Sequence, residues 1–148
     1  MSSRKQPPNC PARSDQPGDA SPDRVVPARP DLSRNALGRA GEDLAATHLV
    51  AAGLEIVERN WRCRLGELDL IALDGDVLVA CEVKTRRGLR YGTPAEAVTT
   101  RKLMRLRQLA REYVATHDVG THRVRVDVVG VLAVPGQTVR VTHLRGVS

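Results

Sequence analysis

Two acidic segments and one lysine carry the chemistry this chain could perform: Gly66-Glu67-Leu68-Asp69-Leu70-Ile71 and Glu82-Val83-Lys84. The lysine stands out because only Lys5, Lys84 and Lys102 are lysines among 23 basic residues. A sequence so biased toward arginine keeps lysine where a compact ammonium does what a planar guanidinium cannot, such as orienting a water. In a strand, Glu67 and Asp69 share one face and Leu68 and Leu70 the other, and Glu82 and Lys84 share a face by the same parity. With Asp74-Gly75 as a two-residue hairpin loop, Leu73 pairs with Asp76, Glu67 lies opposite Glu82, and Asp69 is one diagonal away. Carboxylates facing one another across strands destabilise a sheet, and a divalent cation or a lysine relieves the repulsion. Oxygen donors without His or Cys select Mg²⁺ or Mn²⁺ over zinc. Two carboxylates, a lysine and a basic surround are the parts needed for metal-assisted phosphodiester hydrolysis. Taken singly, each acid also reads as a solvated residue on a half-buried strand.

The elements that must position these groups follow from periodicity. Leu37, Ala40, Gly41, Leu44, Ala45, His48 and Leu49 recur at helical spacing from Asn35 onward, with Gly53 as the stop. Residues 54–61, 68–73 and 77–84 read as three strands. Thr93-Pro94-Ala95-Glu96 has the form of a capping box, followed by the stripe Leu103, Leu106, Ala110, Tyr113 and Val114, with a break allowed at Thr99-Thr100. Residues 124–131 and 139–144 complete an αβββαββ order, a mixed α/β domain with a helix for each side of a central sheet. Ahead of it, residues 1–34 carry seven prolines among Ser, Arg and Asp and read as a disordered tail, leaving 35–148 as the folded domain.

Composition narrows the partners. The 148 residues carry a net charge of +6, which suits a polyanion. With no Phe, one Trp and two Tyr, the chain has no row of aromatic faces for stacking single-stranded bases, so arginine contacts to phosphates on duplex or branched nucleic acid fit better. No apolar run is long enough for a membrane helix and no secretory h-region is present, so a cytoplasmic protein without membrane association is expected. Cys10, Cys63 and Cys81 lack a zinc spacing and read as reduced thiols, with Cys81 in the core. His48, His117, His122 and His143 show no ligand spacing either.

Gly41-Glu42, Asn60-Trp61-Arg62, Gly66 to Ile71, Glu82-Val83-Lys84-Thr85-Arg86, Lys102 and Asp127-Val128-Val129, in that order, resemble the YraN-like family of uncharacterised bacterial proteins. The resemblance spans about residues 35–144. That family is similar to the restriction-endonuclease-like superfamily and, within it, to archaeal Holliday-junction resolvases. The resemblance implies an endonuclease-like core whose Asp … (Asp/Glu)-x-Lys scheme is matched by Asp69, Glu82 and Lys84. It also implies that Asp69 and Glu82 ligate Mg²⁺, that Glu42 of the first helix completes the site, and that Lys84 positions the attacking water. The proline that often precedes the first Asp is replaced by Leu68. Arg86, Arg87 and Arg90, with Lys102 and Arg105 on the second helix, are the expected phosphate contacts. A homodimer is the assembly that likeness to resolvases suggests, although no stretch of the sequence marks its interface. The competing reading is a non-catalytic nucleic-acid-binding or protein-interaction module on the same fold.

Overall fold

The computed structural model describes residues 33–88, 90 and 92–148. The expected tail, apart from Ser33 and Arg34, lies outside the described residues. Seven elements follow in the expected order: α1 (Arg34–Ala51), β1 (Glu55–Cys63), β2 (Gly66–Asp74), β3 (Val77–Arg86), α2 (Thr100–Thr116), β4 (Val124–Leu132) and β5 (Arg140–Leu144). The strands form one sheet in the order β1-β2-β3-β4-β5, with β3 and β4 parallel and every other pair antiparallel. The parallel pair is made possible by α2, which carries the chain from the end of β3 back to the start of β4.

Each helix covers one face. Helix α1 starts where Ser33 Oγ accepts the Ala36 N–H at 3.1 Å, and Gly53, at φ 91°, turns the chain out of it. Its buried stripe is Gly41, Ala45 and Leu49, one residue per turn, packed on Leu70, Ala72, Val79, Cys81, Val129 and Val131. The small residue at Gly41 matters, because a Cβ there would overlap the Thr85 side chain on β3. This close approach carries the next residue, Glu42, to the end of β3.

Helix α2 begins at the allowed break rather than at Thr93. Thr99 Oγ1 accepts the Lys102 N–H at 3.2 Å, and the Thr93–Glu96 box closes a separate turn, its Thr93 N–H donating to Glu96 Oε2 at 2.9 Å. Leu103, Leu106, Leu109, Ala110 and Tyr113 are buried against Trp61, Leu68, Ile71, Leu78, Ala80 and Val126. Each of the three leucines contributes roughly 2 kcal/mol by leaving water. The Tyr113 hydroxyl donates to Glu58 at 2.9 Å, and its ring meets Trp61 edge-on.

The β2–β3 hairpin corrects the expected register. Asp74 pairs with Val77 and Leu70 with Cys81, so the loop is Gly75-Asp76, with Gly75 at φ 60° in the first central position that favours glycine. The shift is two residues. Parity is kept, and Glu67 no longer faces Glu82; it is exposed and pairs with Arg62 at 3.0 Å. A second correction concerns Leu68 and Leu70, which were expected on one face. Leu68 joins the cluster under α2 and Leu70 the cluster under α1. The alternation breaks at Asp69, whose neighbour across β1 is Asn60, held at φ 52°.

Candidate active site

The break in alternation sets the geometry of the site. Ladder pairing between β2 and β3 runs from the hairpin only as far as Leu70 and Cys81. Beyond that point the Asp69 side chain substitutes for the ladder, its Oδ2 accepting the Val83 N–H at 2.8 Å. Glu82 and Lys84 continue the β3 face that carries Leu78 and Ala80 toward α2. Glu82 is buried, at 4% exposure, and its Oε1 receives Lys84 Nζ at 2.7 Å and Lys102 Nζ at 3.2 Å. Lys102 comes from the first turn of α2. Its position is fixed by the Thr99 cap that starts the helix.

Burial, the Glu82 carboxylate and, more weakly, Glu42 push the Asp69 carboxyl up to about 6. The Val83 N–H and the Lys84 ammonium oppose that rise. Glu82, Glu42 and Lys84 thus all act on Asp69, although the four come from three elements. Among the described residues no group of three or more His, Cys, Asp or Glu is arranged as a ligand set for a metal ion. The lysines, rather than a third carboxylate, stand nearest to Glu82.

An open cleft of about 630 Å³ brings Glu42 and Lys84 together with Arg34, Arg86 and Arg87. Lys84 and Arg86 also line a smaller cavity of about 230 Å³ with Thr93, Arg140 and Thr142. Arg86 is steadied by donating to the Gly92 carbonyl at 2.9 Å. Of the five expected phosphate contacts, Arg86 and Arg87 thus reach the cleft, and Lys102 turns inward to Glu82. Arg90 is exposed and lines neither space. Arg105 points away, donating to the Leu65 carbonyl on the β1–β2 turn. Arg34 and Arg140 were not expected. Nothing near them in sequence signals the role, which arises from the α1 approach and from β5 lying next to β4.

Asp127 is fully buried but belongs to a different set of contacts. Arg125 grips it through Nε at 2.8 Å and Nη2 at 3.0 Å, His143 Nε2 lies at 2.8 Å, and the Gly146 N–H donates at 2.9 Å. Burial alone would raise its carboxyl; Arg125, Gly146 and His143 outweigh that and hold it below the ordinary value. The network fastens the C-terminal segment to β4 and β5. Cys81 is in the core as expected, and burial raises its thiol far above the reactive range.

The model of the uncharacterised protein family UPF0102 matches residues 41–131, which includes Glu42, Asp69, Glu82, Lys84 and Lys102. The chain belongs to the UPF0102 family. A UPF0102 protein of Frankia casuarinae is 55% identical over 114 residues, covering 77% of this chain and 97% of the relative. One from Nocardioides is 53% identical, covering 78% and 93%, and one from Rhodococcus jostii is 57% identical, covering 74% and 93%. The YraN-like resemblance carried by the motifs is this same UPF0102 family. No described helix is long and apolar enough to cross a membrane.

Proposed function

We propose that this UPF0102 protein is a metal-dependent nuclease that hydrolyses phosphodiester bonds in duplex or branched DNA. The observation that carries the reading is the convergence of Asp69, Glu82 and Lys84 at the point where β2 and β3 part, beside a cleft that holds Glu42, Arg86 and Arg87. The donor atoms are of the kind a hard divalent cation takes, although the carboxylates are not drawn together as a ligand set and two lysines hold Glu82. Asp69 and Glu82 offer only oxygen; burial first and the Glu82 charge second raise Asp69, and a cation would offset the second. Asp69 and Glu82 would hold Mg²⁺ or Mn²⁺, with Glu42 completing the shell directly or through water. When bound, the ion supplies Lewis-acid polarisation of the phosphoryl oxygen and a more acidic water.

The chain's own residues do the rest. Lys84 is already fixed by Glu82 at 2.7 Å, so its remaining N–H donors have a set direction from which to orient a water. Arg86 and Arg87 stand two and three residues further along the same strand and its exit, where forked donors can grip phosphates flanking the reacting one. DNA rather than RNA is the substrate suggested by the likeness to resolvases and restriction-endonuclease-like proteins.

One observation favours a second reading, a non-catalytic binding module. Lys84 and Lys102 already compensate Glu82, so that carboxylate is paired without a cation. Metal dependence separates the two. Incubation of the protein with four-way-junction and duplex DNA should give cleavage with Mg²⁺ and none with EDTA. Binding alone under both conditions supports the module.

A further inference from the structure

A second basic surface lies where α2 meets the β1–β2 turn, and it shares no lining residue with the Lys84 cleft. It is an open trough of about 870 Å³ whose prominent side chains are Arg64, Arg101, Met104, Arg105, Gln108 and Arg111, and no acid lines it. Several other surface arginines are paired with carboxylates: Arg59 with Asp43, Arg62 with Glu67, and Arg123 with Asp76. Arg64, Arg101 and Arg111 are exposed and have no carboxylate partner among the described residues. Gathering like charges without counter-ions has a cost that a surface chosen only for solvation avoids by interspersing acids.

Arg105 is held in place between them. It donates to the Leu65 carbonyl, and Gly66 makes room for it, since a Cβ on Gly66 would sit 3.2 Å from Arg105 Nε. The row also has the reach of a nucleic-acid backbone. Arg101 and Arg111 are ten helical residues apart, about 15 Å, a span that takes in a few successive phosphates of one strand. The residue beside Arg101 is Lys102, which touches Glu82, so the row starts at the candidate site and leads away from it.

We propose that this trough holds the sugar-phosphate backbone of a DNA duplex beyond the cleavage point, with α2 as the rail that sets the duplex against Asp69, Glu82 and Lys84. The proposal rests on the nuclease reading for its choice of DNA. Methionine is the trough's one exposed large apolar side chain and no aromatic lines it, which favours a duplex over stacked single-stranded bases.

The test is binding of the full-length protein to a short labelled DNA duplex in EDTA, across a salt series, by fluorescence anisotropy. Replacing both Arg101→Ala and Arg111→Ala should reduce the slope of log K against log salt by about two and weaken binding about tenfold near 0.1 M salt. The lysine replacements Arg101→Lys and Arg111→Lys should keep the slope, and Arg123→Ala, a paired arginine outside the trough, should change nothing. An unchanged slope in the double alanine variant, with its circular dichroism intact, overturns the proposal. So does binding to phosphatidylserine vesicles or an RNA duplex in preference to the DNA duplex. EDTA uncouples this result from catalysis. A protein that binds through the trough and never cuts sinks the nuclease reading and leaves the trough standing, whereas cutting with an unaltered slope sinks only the trough.

Discussion

Asp69 Oδ2 accepts the backbone N–H of Val83 at 2.8 Å, a side chain standing in for a ladder bond at the place where β2 and β3 separate. One oxygen of the carboxylate therefore has a structural task, and the residue couples the shape of the site to its charge. Replacing it should reveal both. Asp69→Asn keeps an acceptor for Val83, while Asp69→Ala leaves that N–H unpaired, so the alanine variant should be less stable by about 1–2 kcal/mol in urea denaturation at neutral pH. Equal stability of the two would show that the bond to Val83 contributes nothing.

The charge appears in the pH dependence. The Asp69 carboxyl ionises at about 6 in the folded protein against 3.8 ordinarily, so the folded state holds this proton more tightly. The stabilisation is complete below pH 3.8 and disappears as pH rises through about 6. At full shift it amounts to about 3 kcal/mol, and partial solvent access brings it nearer 2. In EDTA the wild-type protein should lose stability relative to Asp69→Asn between about pH 4 and pH 7, read from urea midpoints. Parallel profiles for the two proteins would contradict the burial and like-charge origin of the shift.

Lys102 competes for the same oxygen of Glu82 that Lys84 holds. If Glu82 is a cation ligand, removing one competitor should help the cation. Lys102→Ala is expected to tighten Mn²⁺ or Mg²⁺ binding by about 1 kcal/mol, roughly fivefold in Kd, by titration calorimetry. Weaker metal binding in the variant would mean that Lys102 supports the site rather than blocking it.

The reach of Glu42 into the site depends on how closely α1 lies on β3. Gly41→Ala sets a methyl group against Thr85 and should destabilise the protein by about 1–3 kcal/mol. Thr85→Gly in the Gly41→Ala background should recover part of that loss, so the double-mutant cycle gives a coupling above about 0.5 kcal/mol. Additive effects would place the cost of Gly41→Ala elsewhere than in this contact.

The order of elements and the faces of Glu82 and Lys84 were legible in the sequence because they depend on local period and parity. The partner of Glu82 was not. Asp74-Gly75 and Gly75-Asp76 both make two-residue loops; the ladder takes the second, which moves Glu67 out and Asp69 in, with Gly75 alone at positive φ in the glycine-first position of a II′ turn. Alternation predicted Leu68 and Leu70 on one face, and Asn60 at φ 52° on the adjacent strand marks where it fails. Two threonines, Thr93 and Thr99, both have the grammar of a helix start, and the first closes only a turn. Lys102 was legible as a rare lysine, and its contact with Glu82 exists only once α2 has crossed the sheet. Arg34 and Arg140 join the cleft and its neighbouring cavity through tertiary approach alone.

The most direct test of the central claim is cleavage itself. Labelled four-way-junction, flap, duplex and single-stranded DNA would be incubated with wild-type protein, Asp69→Ala and Lys84→Ala, each with Mg²⁺, Mn²⁺ or EDTA. The expected result is metal-dependent cutting of branched or duplex DNA by the wild-type protein, lost in both variants while binding persists. Cutting that survives Asp69→Ala, or wild-type binding with no cutting in any metal, would contradict it.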